Sequence, residues 1–215
     1  MQLQLGILDA TTAATQPWCL DSHGYVRTGQ KQMAILFIQM CVSVDGFIED
    51  SHGEMNWFAG DTHFDEILTR TLRGVDGIIF GRTAHAMGAA YWPMATAETE
   101  EVSEQIRLMN TLPKYVLTRR PYETAWNNSN VITVPDLPRL KTIARRPLVL
   151  FAGAQAAQSA LVAGHVEEVR LVRYPVALGG GKSLFAADGK RLGFTMMETQ
   201  VFPNGPIVTR YAVCK

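Results

Sequence analysis

From Met33 onward, short apolar runs alternate with amphipathic stretches along the chain. MAILFIQMCV (33–42), VDGIIFG (75–81) and PLVLFAG (147–153) are almost continuously apolar, the pattern of strands covered on both faces. KYVLT (114–118) and NVITV (130–134) predict shorter strands. Between these runs the period becomes helical. In HFDEILTRTL (63–72), Phe64, Ile67, Leu68 and Leu72 share one face, and Asp61 is placed to cap the helix. TAETEEVSEQIRLMNTL (96–112) carries its acids early and is stopped by Pro113. DLPRLKTIAR (136–145) starts at a capping Asp136, and AQAAQSALVAG (154–164) is a small-residue helix closed by Gly164.

VEEVRLVRYPVA (166–177) alternates more, as a less evenly covered strand would, whereas VDGFIEDSHGEMNW reads as loop. The last twenty or so residues predict two strands around a Pro203-Asn204-Gly205-Pro206 turn. Strands and helices in alternation, closed by a hairpin, predict an α/β fold. It has a mostly parallel central sheet, helices on both faces and an antiparallel C-terminal hairpin.

Composition narrows the class. The chain has 215 residues, enough for one domain with a substantial core. Twenty basic residues balance twenty acidic ones, which argues against nucleic acid or an anionic membrane as partner. No apolar run approaches the roughly 20 residues of a membrane helix. Cys19, Cys41 and Cys214 are few and lack metal-type spacing, so no metal site is expected and a reducing, cytoplasmic setting fits. Residues 1–32 show neither period and read as a loosely ordered extension before a domain spanning 33–215.

In sheets of this kind ligands bind beyond the carboxyl ends of the strands. The predicted strands deliver Ser43-Val44-Asp45-Gly46, Gly81-Arg82-Thr83, Thr118-Arg119-Arg120, Ala152-Gly153-Ala154-Gln155 and Gly179-Gly180-Gly181 to that edge. Gly181-Lys182-Ser183 spells the end of a phosphate-binding P-loop, but position 176, where that loop needs glycine, is Val176. Better phosphate equipment lies elsewhere. Gly153 precedes a helix N-terminus, and Arg82 and Arg119 each stand beside a hydroxyl, Thr83 and Thr118, suiting an anionic nucleotide.

The series SVDGFI, DGIIFGR, YVLTRR, VLFAGAQAAQSALVAGHVEEVRL and PVALGGGKSLF, then a hairpin, resembles the dihydrofolate reductase superfamily over residues 33–215. Its closest resemblance is to the branch holding the reductase domain of riboflavin biosynthesis. That resemblance implies an NADPH-dependent oxidoreductase, in many relatives a homodimer, acting on a small heteroaromatic or carbonyl substrate. By position, Cys41 would present backbone to the nicotinamide carboxamide. Gly81, Arg82, Thr83 and Ala84 would open a helix beside the cofactor phosphates, with Arg82, Thr118 and Arg119 around the 2′-phosphate. Gly153, Ala154, Gln155 and Ala156 would cradle the pyrophosphate. Ser43, Asp45, Trp57 and Gly179, Gly180 and Gly181 would border the substrate.

The departures bear on substrate. Ala84 stands where relatives often have threonine, and Ala152-Gly153 replaces a Gly-Gly pair. Phe151 occupies the place of a substrate-binding glutamate, and MGAAYWPM (87–94) replaces an Asp-Asp-Pro loop. Both changes argue against a ribosylaminopyrimidine phosphate. Dihydrofolate reductase activity is an alternative that needs a carboxylate in the first helix. Counting back from Gly81 selects Asp65 as that catalytic group, whereas counting forward from Trp57 selects Thr62. A nucleotide-binding module without turnover is a further alternative. His63 and His85 read as surface residues, and Lys182 as a solvated one.

Overall fold

The structure, a computed structural model, describes residues 25–26, 33–58, 61–151, 153–185 and 190–214. Its centre is an eight-stranded sheet. All eight of these strands were expected from the chain's periodicity, in an order that only pairing reveals. Six run parallel: β3 (Leu36–Val42), β5 (Gly77–Phe80), β6 (Lys114–Leu117), β7 (Ser129–Ile132), β8 (Leu148–Phe151) and β9 (Glu168–Arg173). The hairpin strands β11 (Phe194–Val201) and β12 (Ile207–Val213) add antiparallel to β9. The order across the sheet is β11-β12-β9-β3-β8-β5-β6-β7.

Helices cover both faces because each central strand is apolar on both. Leu36, Ile38 and Met40 of β3 pack with Leu140 of α4 (Leu137–Ile143) and Ala157, Ala160 and Leu161 of α5 (Ala154–Val162). Ile35, Phe37, Ile78 and Phe80 pack on the other side with Leu68 and Leu72 of α1 (Thr62–Arg73) and Met109 of α3 (Glu100–Thr111). A third cluster, Ile67, Val172, Tyr174, Phe202 and Val208, fastens the hairpin turn beneath α1.

The termini of these helices divide into two kinds. Asp61 caps α1 by accepting from His63 N at 3.0 Å, and Thr99 caps α3 by accepting from Val102 N at 3.2 Å. The helix α2 (Arg82–Tyr91) and α5 start at Gly81 and Gly153 with no side-chain cap. Asp136 departs from expectation: its carboxylate turns back to Thr133 N at 2.8 Å and does not cap α4. A short turn preceding α4 uses that bond first.

Two further pieces were not visible as strands. The loop-like segment after β3 contains β4 (Phe47–Glu49), which pairs antiparallel with β10 (Lys182–Ser183). Gly181, at φ +136°, lies so close to the Glu49 carbonyl that a Cβ would collide with it. Within the N-terminal extension, β1 (Tyr25–Val26) pairs antiparallel with β2 (Met33–Ala34), and the rest of 1–32 lies outside the described residues.

Candidate functional site

The sheet opens a gap where β3 and β8 part. β8 accompanies β3 only as far as Gln39, opposite Phe151, whereas β9 follows it to Val42. Met40, Cys41 and Val42 therefore run past the end of β8 with one edge unpaired by strand among the described residues. At the same level β8 and β5 end side by side, with Phe80 opposite Phe151. Each turns at once into a helix.

Those two turns meet. Gly153 has φ +91°, a left-handed conformation that glycine adopts without strain. A Cβ built on it would lie 3.4 Å from Gly81 Cα and 3.5 Å from Gly81 N. The N-termini of α2 and α5 are thus brought against one another, both lacking a side-chain cap. Both therefore leave backbone N–H groups and the positive ends of their dipoles at this turn. Ala154 and Ala156 are buried behind it, and Gln155 is exposed at its lip.

Arg82 and Thr83 open α2 and are exposed, with Ala84 half-buried beneath them. Arg119 is exposed just beyond β6, the strand next to β5. Thr118 uses its hydroxyl to accept from Arg120 N at 3.1 Å, which shapes the turn that carries Arg119. So the structure gathers the residues expected around a nucleotide phosphate at two adjacent strand ends.

The other side of the gap is built by Ser43, Asp45 and the glycines. Ser43 is fully buried, donates to Asp45 Oδ1 at 2.6 Å and accepts from Phe47 N at 2.9 Å. Asp45 accepts from Leu178 N at 3.1 Å and Gly179 N at 2.8 Å. The Ser43 hydroxyl, helped by those amides, holds its carboxyl down to about 2. Asp45 therefore clamps the glycine loop to the end of β3. Gly179 takes φ +72°, Gly180 faces open space, and Lys182 pairs with Glu49 at 2.8 Å.

An aromatic cluster packs against Cys41. Trp57 meets Phe58 and Tyr174 edge to face, with centroids 4.8 and 5.8 Å apart. Cys41 is half-buried beneath it; burial, and then the Asp61 charge, push its thiol up to about 12, so it stays neutral. Asp65 points across to α3, where it accepts from Gln105 Nε2 at 3.3 Å. His85 is fully buried, contrary to the surface position expected for it. It bridges Tyr122 Oη at 3.0 Å and Ser129 Oγ at 2.9 Å, because α2 lays it against β7. His63 rests on Phe202 in the hairpin turn. A cavity of about 270 Å³ lined by Gln39, Arg70, Arg170 and Arg210 lies lower on the α1 face and does not join this gap.

Residues 34–208 match the family model described as the RibD C-terminal domain. The chain belongs to that family. It is 30% identical over 185 residues to YyaP, an uncharacterised Bacillus subtilis protein, covering 84% of this chain and 95% of that one. A structure of RibD from Acinetobacter baumannii superposes with a TM-score of 0.62 at 15% identity. That match covers 85% of this chain and 59% of RibD, so the chain spans well under two thirds of RibD. An Enterococcus faecalis dihydrofolate reductase, solved with NADP(H) and RAB-propyl, superposes with a TM-score of 0.57 at 13% identity over 84% of this chain and 97% of that one. The fold shared with both is the one expected from the sequence.

Proposed function

We propose that the chain is an NADPH-dependent reductase that passes hydride to a small heteroaromatic or carbonyl substrate. The observation that supports this reading is the close approach of Gly153 to Gly81, which brings together two helix N-termini that lack side-chain caps. Gly153, Ala154, Gln155 and Ala156 would hold the pyrophosphate with backbone N–H groups, as would Gly81 to Ala84 from the other side. Arg82 and Arg119 would fork onto the 2′-phosphate that distinguishes NADPH from NADH. The open edge of Met40–Val42 suits the carboxamide of a nicotinamide ring, including backbone at Cys41. Bound there, the cofactor supplies hydride. The protein's part is to align, desolvate and exclude water, and Ser43, Asp45 and the clamped glycine loop form the wall that does so.

The test is a thermal shift with both nucleotides at one concentration, about a hundred times the dissociation constant for NADPH. NADPH should raise Tm by about 5–10 °C and NADH by clearly less. Arg82→Ala with Arg119→Ala should erase the difference while leaving the unliganded Tm unchanged. Equal shifts by the two nucleotides in the wild type would sink the 2′-phosphate assignment. A shift by NADPH with no consumption by any pterin, quinone or pyrimidine would favour a binding module without turnover.

The same reading includes a homodimer in a reducing cytoplasm. β11 is an outer strand of the sheet, and it exposes Met196 (66%), Met197 (41%) and Val201 (67%) along an unpaired edge. Among the described residues Cys41 and Cys214 are both unpaired thiols, and no helix is long and apolar enough to cross a membrane.

A further inference from the structure

On the α1 face of the sheet one row of paired residues is polar. Gln39 of β3 stands opposite Arg170 of β9, Arg170 opposite Arg210 of β12, and Arg210 opposite Glu198 of β11. Cross-strand partners share a face, so the four side chains form one band. Ile67, Arg70 and Thr71 of α1 close over it, and between them lies the cavity of about 270 Å³. The charges along this band do not cancel. Glu168, fully buried, is held by Arg170 at 2.7 Å and Arg210 at 2.6 Å, and Glu198 takes the far side of Arg210 at 2.6 Å. Arg70 gives Nη2 to Gln200 at 2.8 Å and meets the exposed Glu66 only at 3.9 Å. Three guanidinium groups therefore face two close carboxylates, and one positive charge is left over. Arg170 lies 3.6 Å over the Phe37 ring. Burial lowers its pKa from the ordinary value, and Glu168 offsets that only in part. Its Nη1 has no partner among the described residues. Nor has Nε2 of Gln39, a residue 7% exposed that spends its oxygen on Thr71 at 2.9 Å. Buried donors rarely go unmatched, and two beside a surplus cation point to an anionic acceptor.

We propose that this cavity binds a small organic monocarboxylate, apart from the turn at Gly81 and Gly153. The carboxylate accepts from Arg170 Nη1 and Gln39 Nε2 under the charge of Arg70, and a short apolar body lies against Ile67 and Val208. One surplus cation matches one carboxylate, and Glu198 in the wall repels a second negative charge. The volume is small for a ligand pocket and fits an acid of a few carbons. The inference goes beyond the reductase reading and does not depend on it.

The experiment is a ligand-observed NMR titration of the full chain with butyrate, butyramide and inorganic phosphate. Butyrate and butyramide match in shape and differ in charge, and phosphate is an anion without an apolar body. Butyrate should bind at least about tenfold more tightly than either. Arg70→Gln, on the exposed roof, should weaken butyrate about threefold or more, and Arg70→Lys should recover part of that loss. Gln39→Met keeps the shape and removes the donor, and should weaken butyrate about fivefold or more. Both variants should keep the wild-type near-ultraviolet circular dichroism, which separates a lost ligand contact from a lost fold. Arg82→Ala with Arg119→Ala should leave butyrate affinity unchanged, because those arginines stand at the other anion-binding candidate. No binding of butyrate, equal affinity for butyrate and butyramide, or tighter binding of phosphate overturns the proposal. So does loss of butyrate binding in the Arg82 and Arg119 variant, or undiminished binding by both Arg70→Gln and Gln39→Met. The NADPH shift is read separately, and its presence or absence leaves each of these outcomes as it stands.

Discussion

His85 is held neutral by its surroundings. Burial, and then the charge of Lys114, lower its pKa below the usual histidine value, and its ring bridges Tyr122 and Ser129. The unfolded chain therefore binds the proton more readily than the native one as pH falls. Stability present above about pH 6.5 is lost progressively as pH drops towards the lower native value. Melting curves between pH 7.5 and 5 should show this decline in the wild type and a flatter profile in His85→Gln. That variant should also lose about 1–3 kcal/mol at pH 7.5, since it leaves a buried hydroxyl unpaired. A wild-type slope no steeper than the variant's would remove His85 from the account. Nothing in the local sequence marked this residue as buried. Tyr122 and Ser129 reach it from beyond β6, and a single-residue reading of a histidine near an arginine defaults to the surface. The same distance hid the approach of Asp61 to Tyr174. Gly153 was legible because its role depends on its immediate neighbours: a buried strand before it and a helix after it.

At the scale of elements, the helix N-termini differ in how they are finished. α1 and α3 spend side chains on their own N-termini, whereas α2, α4 and α5 have no side-chain cap, and of these α2 and α5 meet at Gly81 and Gly153. Gly153 makes the second arrangement possible by turning sharply between β8 and α5. Gly153→Ala keeps room for the methyl, 3.4 Å from Gly81, but imposes a left-handed conformation on alanine. It should cost about 1–2 kcal/mol and weaken NADPH about tenfold or more, read by thermal unfolding and by nucleotide titration. An unchanged nucleotide affinity in a destabilised Gly153→Ala protein would mean that the turn serves folding alone. The glycine run at 179–181 divides its work differently. Gly181 is required by its approach to β4, and Gly179 is held by Asp45, so the motif resembling a P-loop is a clamped wall.

For the whole molecule, the hairpin decides what the sheet's outer edge can do. β11 ends the sheet with eight residues that are mostly exposed, which an isolated chain would have to protect from edge-to-edge pairing. Antiparallel pairing of β11 with its copy across a twofold axis, as proposed for the homodimer, would cover Met196 and Val201 and satisfy the open backbone. Light scattering should give a dimer for the wild type, and Val201→Lys with Met196→Lys should give a monomer that still binds NADPH. A monomeric wild type at micromolar concentration would refute this interface. Below that edge a fully buried Glu168 joins Arg170 at 2.7 Å and Arg210 at 2.6 Å, locking β12 to β9. Burial alone would raise the Glu168 carboxyl, but the bonds from Arg210 and Arg170 outweigh it and keep it ionised.

What the sequence determined by itself was the class of fold and the strand ends that its glycine turns occupy. Hydrophobic periodicity is a local property, and strands, helices and the glycine-to-helix turns follow from stretches of ten residues or fewer. Only the tertiary structure decided the strand order that parts β3 from β8, the meeting of Gly81 with Gly153, and the burial of His85. It also decided where the two carboxylates at the start of α1 go: Asp61 caps the helix, and Asp65 accepts from Gln105 on α3. Counting along the chain could not make that choice, because one residue's rotation about a helix is settled by what packs against it. Aromatic rings from two distant segments and the cap at the start of α1 make it here.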